Sequence, residues 1–302
     1  MYRFLVKPLV YLLPKRRSRG IILGMFSFCA RAKWIQILLR LFFHRKHSNL
    51  KKEVFGIKFS NPLGLSGGID RDAQIYNIMD DIGFGFVEIG PVTPLPQNSE
   101  NIKSAGVKAV IENIKRVYPD IILIADITKN LDSEGDKIIK DYSHVFSMLY
   151  DFADIFVLHI SGEQESSVSG QQEVNHISDI VDEILESRMT MDIEKPVLLR
   201  IPPDTGEQRI DDILDFVRLS GLDGVVVGGT DDDRRLVKSI HDKTDGRLII
   251  VARSDIKKPS EAAGLIDAGA SLIGISSALT SRGPSFIRKT NNYLSANSSL
   301  KC

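Results

Sequence analysis

Acidic residues are missing from the first 52 positions of this chain, which hold thirteen Lys and Arg. Glu53 is the first acid. Because the whole chain balances 39 basic against 39 acidic residues, the remainder is acidic by that same margin of thirteen. Cysteine is scarce as well. Cys29 and Cys302 stand far apart in sequence, which excludes a disulfide framework or a paired metal-ligand spacing and points to a reducing compartment. No apolar run reaches the roughly 20 residues that a transmembrane helix needs: Gly20–Ala30 is apolar for eleven residues, and then Arg31 interrupts. Walker, zinc and Rossmann signatures are lacking too, so the usual nucleotide-cradle and metal-finger functions have no support.

What the chain does have is a set of eight short apolar runs between Pro62 and Ser276. They are Pro62–Gly67, Phe86–Pro91, Ile121–Ile127, Ile155–Ser161, Val197–Ile201, Gly224–Gly229, Leu248–Arg253 and Ser271–Ser276. Runs rich in Val, Ile and Leu without polar alternation suit parallel strands buried on both faces. Each is followed by a helix-like stretch. Strand alternating with helix, eight times over, predicts an α/β fold, a (β/α)8 TIM barrel occupying residues 53–302. Such barrels place their chemistry at the C-terminal ends of the strands, so the last residues of each run are the candidates for function.

Residues 1–52 predict a basic amphipathic helical extension. Tyr2–Leu13 and Ile21–Phe43 are apolar stretches broken by single cations, and a Pro14–Gly20 hinge with four cations separates them. An apolar helix face flanked by Lys and Arg suits the interface of an anionic membrane. Two other readings compete: a helical cap over the barrel with solvated cations, and a signal peptide, for which no small-residue cleavage site follows the apolar core. The apolar content of the arm argues for lipid and against nucleic acid. Trp34 suits an interfacial anchor or a helix–helix contact equally, and His44 and His47 lie among cations. Asp231-Asp-Asp233 is explained by a helix N-terminus that gathers acids, and no metal site is expected.

The most specific segments are Asn61-Pro-Leu-Gly-Leu-Ser-Gly-Gly-Ile-Asp-Arg71 and Gly83-Phe-Gly-Phe-Val-Glu-Ile-Gly-Pro-Val-Thr-Pro-Leu-Pro-Gln97. Together they resemble the first two barrel strands of dihydroorotate dehydrogenases, in particular the quinone-dependent class 2 enzymes. Asp204 after Arg200-Ile-Pro-Pro203, Gly221-Leu-Asp-Gly224, Asp267-Ala-Gly-Ala-Ser-Leu-Ile273 and Arg282-Gly-Pro284 follow in family-like order. The basic helical pair also resembles class 2, where it lines the quinone entry and touches the membrane. The resemblance implies an FMN flavoprotein oxidoreductase of pyrimidine biosynthesis, peripheral on the cytoplasmic side of a membrane. In it a serine base takes a proton from dihydroorotate, flavin takes a hydride, and quinone takes the electrons. It implies FMN contacts at Gly67, Gly68, Arg71, Arg200, Ser276 and Ser277.

Position by position, the chain departs from that pattern. The family's Asn-x-Ser-Ser-Pro-Asn segment reads His159-Ile-Ser-Gly-Glu-Gln164, so Gly162 occupies the base position and has no side chain to accept a proton. Ser161 is one residue off, and on a strand it points to the opposite face. His159 or Glu163 are the substitutes that could titrate usefully. Asparagines that hold orotate are replaced by His159, Gln164 and Gly229, and the Asn-Arg-Met-Gly-Phe segment after strand two is missing. A site built on buried hydrogen bonds loses its ligand when its partners go.

The flavin positions are changed as well. Arg71 and Arg200 replace lysines, which preserves charge but not geometry. Asp126 stands for an asparagine, Pro91 for a threonine, and Ala252-Arg-Ser-Asp255 for the Gly-Val-Gly-Gly of the phosphate cradle. Asp255 brings a carboxylate toward the phosphate position, with Arg253 to offset it and Ser276-Ser277 left to donate. A Gly-rich loop after strand six is cut to Asp231–Arg235.

The strand ends therefore carry Asp70, Arg71, Asp126, His159, Arg200, Arg253 and Asp255. One expectation is that these groups pair, Asp126 with Arg200 for instance, and plug the mouth. The other is an anion site clamped by Arg200 and Arg253. For function, three outcomes stay open: dihydroorotate oxidation, weakened or lost; a flavoenzyme with another substrate; or a pseudoenzyme acting as a membrane-apposed binding or regulatory barrel, with or without a protein partner.

Overall fold

The computed structural model describes residues 15–45, 47–99, 102–115, 121–160, 170–203, 205–230 and 232–297. Twelve strands are found among them. β1 (Lys52–Val54) and β2 (Ile57–Phe59) form an antiparallel hairpin, as do β5 (Gln97–Asn98) and β6 (Lys103–Ser104). The other eight are β3 (Leu63–Asp70), β4 (Phe86–Val92), β7 (Ile122–Ile127), β8 (Ile155–Leu158), β9 (Val197–Arg200), β10 (Gly224–Gly228), β11 (Ile249–Ser254) and β12 (Leu272–Ile275). All eight are parallel and pair in sequence order, and β12 returns to β3 to close a barrel. This is the (β/α)8 TIM barrel that the eight apolar runs predict.

The strands are buried on both faces because helices cover the outside and the barrel fills its own inside. The covering helices are α4 (Val107–Lys115), α5 (Asp136–Leu149), α6 (Gly170–Met189), α7 (Glu207–Ser220), α8 (Asp233–Lys243), α9 (Pro259–Asp267), α10 (Ala278–Arg282) and α11 (Pro284–Asn297). After β3 the helix-like stretch shrinks to one turn, α3 (Met79–Ile82). Inside, side chains two apart on a strand share a face. Phe86, Ile124, Val157, Leu198, Val226, Val251 and Leu272 form an apolar lower layer with Val54 and Phe59 of the first hairpin. Phe59 meets Phe86 edge-on, with ring centroids 6.0 Å apart, and closes the bottom. One step further up each strand, the same alternation aims Glu88, Asp126, His159, Arg200 and Arg253 at the barrel axis. The fold thus converts a sequence period of two into a charged layer resting on an oily floor.

The arm differs from expectation in one respect. The sequence predicts a hinge at Pro14–Gly20, but α1 runs Lys15–Arg31 without a break, and the interruption falls at Ala32 before α2 (Lys33–Phe43). A glycine inside a helix costs only about 1 kcal/mol, so Gly20 is not enough to end one. The predicted Tyr2–Leu13 stretch lies outside the described residues.

Polar groups dock the arm on the barrel. Arg40 reaches Asp80 and Asp81 at 3.5 Å each, the Nδ1 of His44 meets the Asp80 carbonyl at 2.8 Å, and Arg288 donates to the Phe42 carbonyl at 2.8 Å. Asn77 donates to the Ala30 carbonyl at 3.0 Å, satisfying the C-terminal end of α1. Burial pushes the Asp81 carboxyl up, and Arg40 partly opposes this. Apolar residues dock it too: Phe26 and Ala30 are buried in the main core, with Leu23, Cys29 and Leu39 packed against it. A second apolar face points outward. Met25, Phe28, Trp34, Ile37, Leu38, Leu41 and Phe42 are all exposed, Trp34 at 65% and Leu41 at 67%.

The tight floor yields a prediction. A Cβ on Gly64 would stand 2.3 Å from the Phe86 ring, so one of the two must move. Gly64→Ala should lower stability by about 1–3 kcal/mol. A urea-unfolding midpoint equal to that of the parent would refute this account of the floor.

Candidate functional site

Arg253 is the centre of the mouth. In register it lies between Gly228 on β10 and Gly274 on β12. With no side chain on either neighbour, the guanidinium can lie across the barrel axis. It reaches the strands opposite, where Glu88 and Asp126 are both essentially without solvent contact. Arg253 Nε donates to Glu88 Oε2 at 3.0 Å, and Nη2 donates to Glu88 Oε1 and, at 2.8 Å, to Asp126 Oδ2. Gly67 N–H donates to Glu88 Oε2 at 2.9 Å. A Cβ on Gly67 would sit 3.0 Å from that carboxyl and 3.4 Å from Asp126 Oδ2, so this glycine leaves the room that the cluster fills. Burial pushes Arg253 down to about 9, where it is still a cation at neutral pH.

Above this bridge, Arg200 and His159 complete the layer. Arg200 Nη1 lies 3.6 Å from Asp126 Oδ2 and 3.0 and 3.1 Å from the two ring nitrogens of His159. The expected Asp126–Arg200 pair therefore exists, but it is the looser of Asp126's two arginine contacts. His159 Nδ1 is 3.2 Å from Asp126 Oδ1, yet Oδ1 is left without a hydrogen-bond partner. The His159 ring hangs from a firm backbone: its carbonyl accepts from Thr128 Oγ1 at 2.8 Å and from Tyr142 Oη at 2.7 Å. Burial raises the Tyr142 hydroxyl out of its usual range, so it stays a donor.

Four of the seven expected mouth groups come together and three do not. Asp70 is buried beneath the loop that follows β3 and accepts from Gln74 and Ile75 N–H at 2.7 and 2.9 Å. Desolvation raises it to about 6. Its role is to tie a turn, and a register shift between Leu65 and Asp70 is what takes it off the barrel axis. Arg71 turns back to the Gly68 carbonyl at 3.2 Å. Asp255 lies past the end of β11, exposed, and takes the Ser277 hydroxyl. Arg253 is therefore not available to offset Asp255, because it points into the barrel.

The phosphate side of the rim is likewise satisfied from within. Ser276 Oγ donates to the Ser254 carbonyl at 3.3 Å. Glu261 takes the N–H groups of Lys257 and Lys258, at 2.6 and 3.3 Å, at the start of α9. A cleft of about 600 Å³ opens between α8 and α9, lined by Asp232, Asp233, Asp255 and Glu261 against Arg234 and Lys257. Asp232 caps α8 by accepting from Arg235 N–H, and Asp233 holds Thr230, as the helix-start reading of these acids expects. Among the described residues no His, Cys, Asp and Glu group suits a metal. Ser161, Gly162, Glu163, Gln164, Asp204 and Asp231 lie outside the described residues.

Sequence reading missed Glu88. It sits inside a strand, not at its end, and attention to strand ends passes over it. The available signal was a single charge in Phe86–Val92, since a lone carboxylate in an apolar buried strand requires a buried cation.

Comparison with known proteins agrees with this fold. Residues 98–239 match the family model described as dihydroorotate dehydrogenase. A protein named dihydroorotate dehydrogenase (quinone) from Christiangramia forsetii is 25% identical, with 97% of this chain and 98% of the relative covered. One of the same name from Sulfurovum sp. is 28% identical over 81% of this chain and 79% of the relative. The crystal structure of the ligand-free type DHODH from Eimeria tenella superposes with a TM-score of 0.77 at 20% identity, covering 93% of this chain and 96% of that one. Over nearly its whole length the chain is thus similar, at low identity, to proteins named dihydroorotate dehydrogenase (quinone).

Removing the central cation tests the site. Arg253→Met would leave two buried carboxyl groups facing each other with only the looser contact of Arg200 to Asp126 as counter-charge, a loss of about 3–5 kcal/mol for a broken buried pair. Denaturant unfolding near neutral pH should show it. The deficit should shrink as the pH falls, because carboxyls raised in the folded variant take up protons before those of the unfolded chain. A variant as stable as the parent at pH 7 would remove Arg253 from the centre of this account.

Proposed function

We infer that this divergent dihydroorotate dehydrogenase relative is a non-catalytic barrel, closed at the mouth by its own side chains and held against a membrane by its N-terminal helices. One observation carries the reading. Arg253, Glu88 and Asp126 interlock across the barrel axis, in the upper layer of the barrel whose mouth is where the family resemblance puts the flavin ring.

The family's FMN does not fit the residues present. Its ring would have to displace a buried ion-pair layer. Its phosphate would meet Asp255 and Glu261, which already hold the Ser277 hydroxyl and two backbone N–H groups. Carboxylates standing where an anion must bind repel it; like charges about 4 Å apart cost roughly 4 kcal/mol at an effective dielectric near 20. Glycine at position 162 removes the expected proton acceptor, and Gly229 and Gln164 replace asparagine contacts to the substrate. A quinone arriving between the helices would then find no reduced flavin to oxidise.

Membrane apposition rests on the outer face of the arm. Arg40, His44, Phe26 and Ala30 hold the arm to the barrel, while seven large apolar side chains face outward beside Arg31, Lys33 and Arg45. Contiguous apolar surface of this kind marks a binding face, and the surrounding cations suit anionic lipid headgroups. No helix among the described residues is long and apolar enough to cross a membrane, so the arm would lie in the interface.

A second reading, a flavoenzyme for another substrate, draws support from Arg200 and His159. Their side chains are 26% and 19% exposed and turn polar edges to the mouth.

The purified chain should be colourless. It should take up no added FMN, by absorbance after desalting, and release no orotate from dihydroorotate with a quinone acceptor. A yellow protein that frees FMN on denaturation would overturn the non-catalytic reading in favour of the second. For the membrane, the full chain should sediment with vesicles of phosphatidylcholine and phosphatidylglycerol. The pair Ile37→Asn and Leu41→Asn should release most of it at unchanged stability. Equal sedimentation of parent and variant would refute the interfacial arm.

A further inference from the structure

The mouth contains a partly unused cation beside an unmatched anion. Arg200 Nη1 is engaged by His159 and Asp126, but among the described residues its Nε and Nη2 have no acceptor. Arg200 Nη1 lies nearly equidistant from the two ring nitrogens, so it cannot point along either lone pair. Beneath, Asp126 Oδ1 is fully buried and unbonded, with His159 Nδ1 3.2 Å away.

We propose that Arg200 and His159 form a proton-linked seat for a small carboxylate, resting on the closed bridge below. The proposal builds on the reading that the mouth holds no flavin. The charge count drives it. In the free mouth, Glu88 and Asp126 balance Arg253 and Arg200. A carboxylate that draws the fork of Arg200 outward, in the two-point geometry guanidinium favours, leaves Asp126 short of one cation. A proton on His159 supplies it, because the imidazolium can aim Nδ1–H at Oδ1. One anion and one proton enter together, and the layer stays neutral. Among the described residues, the charged groups facing His159 are Asp126 from β7 and Arg200 from β9, with Glu88 of β4 and Arg253 of β11 behind them; Thr128 and Tyr142 meet its carbonyl.

Calorimetry on the full chain tests this with sodium acetate, against sodium chloride at matched ionic strength. Run in two buffers of different ionisation heat, it should show uptake of one proton per acetate. Affinity should fall as the pH rises, by up to ~tenfold per pH unit for one linked proton. His159→Gln should bind more weakly and lose the pH dependence. Arg200→Gln should bind no acetate; if it does not fold, Arg200→Lys, which keeps the charge but not the fork, should bind more weakly with the proton uptake intact. Acetate binding without proton exchange would overturn the proposal, and so would undiminished binding by the folded arginine variants. A colourless, folded protein that ignores acetate sinks this seat alone, whereas a yellow protein sinks the reading beneath it.

Discussion

Two carboxyl groups buried in the middle of a barrel cannot be tolerated without a cation between them, and Arg253 is that cation. Much of the upper barrel follows from this need. Gly228 and Gly274 flank Arg253 in register and give its side chain a path to the axis. Gly67 lacks a Cβ that would press on Glu88, and its N–H adds a further bond to the same carboxyl. The apolar floor of Phe86, Ile124, Val157, Leu198, Val226, Val251 and Leu272 keeps water out from below. That exclusion strengthens each contact in the layer, and it would equally magnify the cost of losing any one of them.

The scaffold was readable because burial on two faces leaves a plain trace. Runs such as Phe86–Pro91 and Val197–Ile201 fall on strands at Phe86–Val92 and Val197–Arg200. The layer of charges was readable in part, for a definite reason. Where a strand keeps its alternation to the end, position predicts direction, and Asp126, His159, Arg200 and Arg253 all obey it. Where it does not, position misleads. The shift between Leu65 and Asp70 takes Asp70 away from the axis, and the end of β11 at Ser254 frees Asp255 to meet Ser277. Neither irregularity has a sequence signal, because both are settled by contacts with neighbouring strands and loops.

The arm shows the same division between pattern and context. Its apolar faces and its lack of acids are visible in the sequence, but which face meets the barrel is not. In most surface helices the apolar stripe packs inward, and on α1 Phe26 and Ala30 do so, joining the main core with Leu23 and Cys29 beside them. On α2 the grip is largely polar: Arg40, His44 and the carbonyl of Phe42 turn toward Asp80, Asp81 and Arg288. Two acids at the N-terminal turn of α3 thus share the work with the apolar contacts, and the outer apolar face of α2 stays uncovered by the barrel.

Asp126 brings a negative charge into the dry core and Arg253 a positive one, and they touch at 2.8 Å. A bare charge at either position would cost several kcal/mol, enough to threaten a fold whose whole margin is of order ten. The two positions are therefore coupled: neither side chain suits that layer without the other, and Glu88 takes the remaining arms of the guanidinium. The upper barrel at these positions is core, closed by internal bonds, while Arg200 and His159 keep a partly exposed edge above it.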